Sequence, residues 1–259
     1  AQSRLSKYQQ EHGIVSIDYC ADQMLLGLVP RERIRAVSFE AASDSAFAAP
    51  RAAGLPRLRP QLEDIAMLRP AVVVRSYGGS AKLDRQLEAM GIKVVQLGYA
   101  GTLADVRSQM LQAGEALGAD PRAAGLVKAF DAEVAAARRG GGHAGTALYI
   151  TPGDVTTGPG SLVAEVMAAA GFTPYRTRPG WGSLPIEAMV RRPPDLVFRA
   201  FFDSARYRQD YWTASRHPVV AEATRHARDV EVPGGWLSCG NWLTGHAVRA
   251  LADARRDMR

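Results

Sequence analysis

Hydrophobic positions along the chain alternate between short unbroken runs and stretches where they recur every three or four residues. That pattern predicts buried strands alternating with amphipathic helices. In the first hundred residues, Ile14–Ile17, Arg35–Phe39, Val72–Arg75 and Lys93–Leu97 read as strands. Helices are predicted over about 21–28, ended by Pro30, then as a short helix ahead of Pro70 and over 80–90, with Gly91 just past the last. Residues 41–60, rich in Ala, Ser and Pro, read as a long loop. Strands alternating with helices predict a parallel sheet.

The texture changes near residue 102. Thr102–Leu117 reads as a helix closed by Gly118, and Asp120 with Pro121 offers an N-cap and first-turn proline for a second helix reaching about Arg138. Leu126, Val127, Phe130 and Val134 share one face of it, and its length of ~27 Å is enough to bridge two lobes. After Gly140-Gly141-Gly142 the alternation resumes: a strand Ala147–Ile150, a glycine-bearing loop Thr156–Ser161, and a helix Leu162–Ala170. A strand Leu196–Arg199, a helix Pro218–Thr224, a strand Val230–Val232 and a helix Trp242–Arg256 complete the order. The predicted organisation is an N-terminal arm (1–12), an α/β lobe (13–101), a helical linker (102–139) and a second α/β lobe (140–259).

Two stretches are spelled to one plan. Leu62-Glu63-Asp64-Ile65-Ala66-Met67-Leu68-Arg69-Pro70 leads into Val72-Val73-Val74-Arg75, and Ile186-Glu187-Ala188-Met189-Val190-Arg191-Arg192-Pro193-Pro194 leads into Leu196-Val197-Phe198-Arg199. In each, a glutamate stands seven residues before a proline and twelve before an arginine that ends the apolar run. A short helix stopped ahead of proline and a buried strand are predicted in both. Self-similarity at this distance implies two lobes of related design. Ligands of open parallel sheets bind beyond the carboxyl ends of the strands, so two such edges facing each other would form a cleft.

Composition narrows the function classes. At 259 residues and 47% hydrophobic, the chain can bury a sizeable core. No run approaches the roughly 20 apolar residues that cross a bilayer, and no signal-peptide core is present. The opening Ala1-Gln2-Ser3 suits a mature protein after leader cleavage, a cytosolic protein or a trimmed chain equally. The net charge of +6 is carried almost wholly by arginine and is scattered, which argues for a solvated basic surface rather than a nucleic-acid site. Two cysteines, Cys20 and Cys239, cannot make a four-ligand zinc site. They would pair in an oxidising compartment or stay buried thiols in a reducing one.

The candidate chemistry is binding chemistry. The loop Thr156–Ser161 lacks the Lys-Ser/Thr ending of a nucleotide loop, and Ser161 there suits an ordinary N-cap. The five histidines have no metalloprotease spacing, no Gly-x-Ser-x-Gly elbow occurs, and no catalytic or metal-binding constellation is found. Aromatics instead follow predicted strands: Tyr19, Tyr77, Tyr99, Phe201, Phe202 and Trp236, with Trp181 in the loop Pro179–Gly182. As a set they suit the walls of a cleft for a large, partly apolar ligand. Arg75 and Arg199 suit ligand carboxylates or phosphates, or structural ion pairs. Glu63 and Glu187 suit a partner-docking role, or simply solvated helix surface.

The same residues carry a resemblance. Leu62–Arg75 resembles the Leu-Glu, helix, Pro, strand pattern of the periplasmic substrate-binding proteins that serve ABC importers of cobalamin, ferric siderophores and haem. Leu87–Val94, Thr157–Gly171 and Ile17–Gln23 resemble further elements of that family, in order, from about residue 13 onward. The resemblance implies two Rossmann-like α/β lobes joined by a single long interdomain α-helix, the class III arrangement. It implies a periplasmic, non-enzymatic capture of a metal chelate in the cleft without chemistry on the ligand, with no separate cofactor, no nucleic acid and little hinge motion. The ligand set expected is Tyr19, Tyr77, Tyr99, Arg75, Trp181, Arg199, Phe201 and Trp236. Glu63 and Glu187 match the glutamates that salt-bridge permease arginines. A Cys20–Cys239 disulfide and a monomer complete the expectation. A metallochelatase-like enzyme and a ligand sensor docking a different partner are the rival readings.

Overall fold

The computed structural model describes residues 13–43, 46–140, 142–151, 153–201 and 218–258. The arm 1–12, His12, His217, Phe202 and the side chain of Phe201 lie outside the described residues. The chain divides into two compact units, one comprising the residues up to Tyr99 with Ser108–Val127, the other Ala100–Arg107 with the residues from Lys128 onward. The predicted linker segment is therefore shared between the units.

The first unit is built on a parallel five-stranded sheet of order β3-β2-β1-β4-β5. The strands are β1 (Ile14–Ser16), β2 (Ile34–Ser38), β3 (Arg57–Leu58), β4 (Val72–Arg75) and β5 (Lys93–Gln96). Val15, Ala36 and Val73 on one face of the central strands pack with Ile65, Leu83 and Leu87 from the covering helices. These are α3 (Leu62–Leu68) and α4 (Ala81–Ala89). The helix α1 (Tyr19–Leu28) is apolar nearly all round and almost wholly buried, as expected of a helix with no solvent face. Asp18 caps it, its carboxylate accepting from Ala21 N at 2.9 Å. Where the sequence predicts a loop over 41–60, the structure has a short helix α2 (Ala48–Arg51) and the edge strand β3. Strands of two residues, held by register against Val37 and Ser38, are too short to generate a period.

Helix α3 stops as predicted: Arg69 takes a left-handed conformation, φ 46°, immediately before Pro70, because proline crowds the right-handed region of the residue before it. The helices α5 (Leu103–Leu117) and α6 (Asp120–Arg139) follow. Gly114 lets them meet, since a Cβ there would lie 2.4 Å from that of Ala123. With 20 residues, α6 is ~30 Å long.

The second unit holds a parallel four-stranded sheet of order β11-β10-β6-β8 and an antiparallel pair β7-β9. Its strands are β6 (Thr146–Ile150), β7 (Val155–Thr157), β8 (Thr173–Pro174), β9 (Trp181–Ser183), β10 (Leu196–Phe201) and β11 (Arg228–Pro233). The helices are α7 (Leu162–Ala169), α8 (Ile186–Arg191), α9 (Pro218–Thr224) and α10 (Leu243–Asp257). Leu148, Ile150 and Val197 pack on one face against Met189 and Val220. Ser161 is the N-cap of α7, accepting from Ala164 N at 3.1 Å, and Thr156 and Thr157 of the predicted loop lie in β7.

A buried guanidinium fastens the helices of this unit. Arg255 of α10 is 3% exposed and donates to Ala170 O at 2.9 Å and to Ala137 O at 3.0 Å. Those carbonyls lie at the C-terminal ends of α7 and α6, where helix dipoles concentrate negative charge. Gly140 and Gly171 leave it room, for a Cβ would stand 1.9 Å and 2.5 Å from its terminal nitrogens.

Candidate functional site

In the first sheet, the connection leaving β1 runs to β2 on one side and that leaving β4 runs to β5 on the other, so the carboxyl ends of β1 and β4 flank the topological switch point where open α/β sheets take ligands. The loops after β1 and β4 meet on Asp18. One carboxylate oxygen caps α1, and the other accepts from Ser76 N at 2.5 Å and Gly78 N at 2.9 Å. Only glycine fits at 78, where a Cβ would sit 2.7 Å from Ile17 O. Above this knot, Glu40 accepts from Tyr19 N at 3.0 Å and from the Tyr77 hydroxyl in a short hydrogen bond. Tyr77 is 57% exposed and Tyr99 83%, whereas Tyr19 is buried with its hydroxyl accepting from Gln23 Nε2 at 2.6 Å. Partial burial, then the bond to Glu40 and its charge, push ionisation of the Tyr77 phenol well above its ordinary range.

Beneath the same edge Asp22 is fully buried. Its carboxyl accepts from Ser16 Oγ at 2.5 Å, Ser38 Oγ at 2.5 Å and Ser38 N at 2.9 Å. Desolvation outweighs these donors and lifts its pKa to about 6.

The arginines at the strand ends have carboxylate partners within their own units. Arg75 pairs with Asp84 of α4 at 2.5 Å, and Arg199 forms a short pair with Asp229 of β11. These are the structural ion pairs that the sequence left open as an alternative.

In the second unit Trp181 is 52% exposed. It meets Tyr149 edge-on with ring centroids 6.0 Å apart, and Tyr149 in turn leans on Phe198. Burial raises the Tyr149 phenol to about 12. Trp236, in a 3-10 turn after β11, meets the His246 ring at 5.3 Å. His246 Nδ1 lies 2.9 Å from both carboxylate oxygens of Glu133, which also accepts from Arg249 at 2.8 Å.

Glu63 and Glu187 occupy the first turns of α3 and α8. Both are exposed, and neither makes an ion pair among the described residues. Two residues on, Ile65 and Met189 are each fully buried, so the two helices sit on their sheets in the same phase. Cys20 and Cys239 are both disulfide-bonded. Among the described residues no group of three or more histidine, cysteine or carboxylate side chains is arranged to hold a metal ion.

Sequence reasoning missed Glu40, Asp22, Glu133 and His246. Asp18 was within reach, as an Asp directly before an apolar helix. Glu40 had no local signal, because only the pairing of β2 beside β1 brings it to Tyr77.

Residues 14–210 match the family model described as periplasmic binding protein. The chain belongs to that family. The fold of this binding protein is similar to that of the periplasmic heme-binding protein RhuT from Roseiflexus sp. RS-1, with a TM-score of 0.75, 22% identity and coverage of 95% of this chain and 98% of that one. It is also similar to a periplasmic heme-binding protein from Pseudomonas aeruginosa (TM-score 0.69, 21% identity, 94% and 92% covered). The periplasmic vitamin B12-binding protein BtuF of Vibrio cholerae shares the fold as well (TM-score 0.65, 16% identity, 95% and 97% covered). No curated protein is significantly similar in sequence. Among the described residues, no helix of this binding protein is long and apolar enough to cross a membrane.

Proposed function

We propose that this periplasmic binding protein captures a metal chelate, a haem, corrinoid or ferric siderophore, and presents it as a monomer to the permease of an ABC importer. The family match and the similar folds of haem- and vitamin B12-binding proteins support the reading. The observation that carries it is the carboxyl edge of the first sheet, where exposed Tyr77 bonds Glu40 and exposed Tyr99 follows the end of β5. Aromatic faces with a few fixed polar groups suit a large, flat, partly apolar solute. Within the second unit, half-exposed Trp181 is a further aromatic surface for such a solute. Glu63 and Glu187 serve as the permease contacts: an unpaired carboxylate on an exposed first turn is free to meet an arginine of a partner. Exposed pairs contribute little energy individually, so their role is registration.

Titrating tryptophan fluorescence with haemin, cyanocobalamin and a ferric siderophore panel tests the proposal. One ligand class should quench saturably at one-to-one stoichiometry, and Tyr99→Ala should weaken that binding about tenfold. Absence of saturable quenching by every class overturns it.

A further inference from the structure

We infer that a pocket in the second unit, separate from the strand-end site, binds a phosphate-bearing anion through Arg176, Arg178, Arg191 and Arg192. It has a volume of about 620 Å³ and lies between the β8–β9 connection and α8, both within the second unit. Four guanidinium-bearing residues line it and no carboxylate does. Other arginines of the chain do have carboxylate partners, as Arg107 has Asp131, Arg228 has Asp257 and Arg249 has Glu133. None of the four pocket guanidiniums has an ion-pair or hydrogen-bond partner among the described residues. Even Glu187, four residues before Arg191 on α8 and so one turn away, makes no pair with it.

The pocket is built rather than incidental. Arg176 has its Nε buried without a partner, and its guanidinium packs on Gly182, where a Cβ would stand 2.7 Å from it. Arg192 lies 5.9 Å over the ring of Tyr175, and the Tyr175 hydroxyl donates to Arg192 O at 2.5 Å. Four like charges around one pocket repel one another. A bound oxyanion relieves that repulsion, and guanidinium forks match phosphate oxygens two at a time. The volume exceeds what a single phosphate fills, which fits pyrophosphate or a phospholipid headgroup.

Two probes separate these sources: inorganic pyrophosphate followed by calorimetry, and cosedimentation with phosphatidylglycerol vesicles against phosphatidylcholine vesicles. Saturable binding of either probe is expected, weakened at least tenfold by Arg178→Gln with Arg191→Gln. Both of those side chains are exposed, so folding is preserved. Replacing exposed Arg138 and Arg139 by Gln should leave binding at its wild-type value. Pyrophosphate alone binding identifies a soluble phosphate ligand, vesicles alone a headgroup, and both the phosphate group itself. The inference is overturned if neither probe binds, if the pocket variant binds as wild type does, or if the control pair weakens binding equally. The solute of the strand-end site plays no part, so failure here leaves the importer reading untouched.

Discussion

Asp22 lies under the carboxyl edge of the first sheet as a buried carboxyl among serine hydroxyls, and its folded-state pKa of about 6 stands above the 3.8 of an unperturbed aspartate. The folded protein thus holds that proton more tightly than the unfolded chain. Its contribution to stability is present below about pH 4 and is lost as the pH rises through about 6. A shift of about two units corresponds to ~3 kcal/mol. The stability advantage of wild type over Asp22→Asn should therefore fall by about that amount between pH 4 and 7 in urea melts, and a pH-independent difference would contradict it. Tyr77 makes the second prediction at this scale. If the solute is a ferric chelate ligated by its phenol, the proton shared with Glu40 must leave. Affinity should then rise with pH, up to tenfold per unit, and Tyr77→Phe should remove both that slope and the phenolate–iron absorption band. Single-residue roles were the least legible part of the sequence. Arg75 and Arg199 were readable as strand ends, but their partners Asp84 and Asp229 come from a neighbouring helix and strand that no local pattern connects to them.

At the scale of elements, the two copies of the helix–proline–strand unit are alike in detail. Each presents its glutamate outward and buries the residue two positions on. Each also leaves an apolar side chain exposed on the same helix, Met67 at 84% and Val190 at 57%. Glu63→Ala with Glu187→Ala should abolish import in a reconstituted transporter while solute affinity stays within twofold of wild type. A large loss of affinity would reassign the glutamates to the solute. These helices and the long strands were legible because burial on one or both faces writes a period of 3.6 or an unbroken apolar run. The strands β3, β7, β8 and β9 were not, since two or three residues carry no period and these, unlike β1, form no apolar run; they are held by the strand or loop beside them.

Across the whole molecule the two cysteines are the clearest test of environment. Pairing of Cys20 with Cys239 would close a loop of about 220 residues, which in the chain-entropy view stabilises by roughly 5 kcal/mol. Unreduced protein should show no free thiol and should run as a monomer without reductant; two titratable thiols would refute the bridge. Fold class was the most legible property of all, because the alternation of strands and helices is repeated across the chain and needs no single contact to be guessed. Arg255 adds a consequence about time. Every residue of the first unit has been synthesised by Val127, but the cation that closes the ends of α6 and α7 is carried by the last helix. During vectorial synthesis those two helices wait, with their terminal carbonyls uncapped, for a residue more than a hundred positions downstream of α6. Nascent chains arrested before α10 should accordingly protect the first unit from protease while the second is still cleaved.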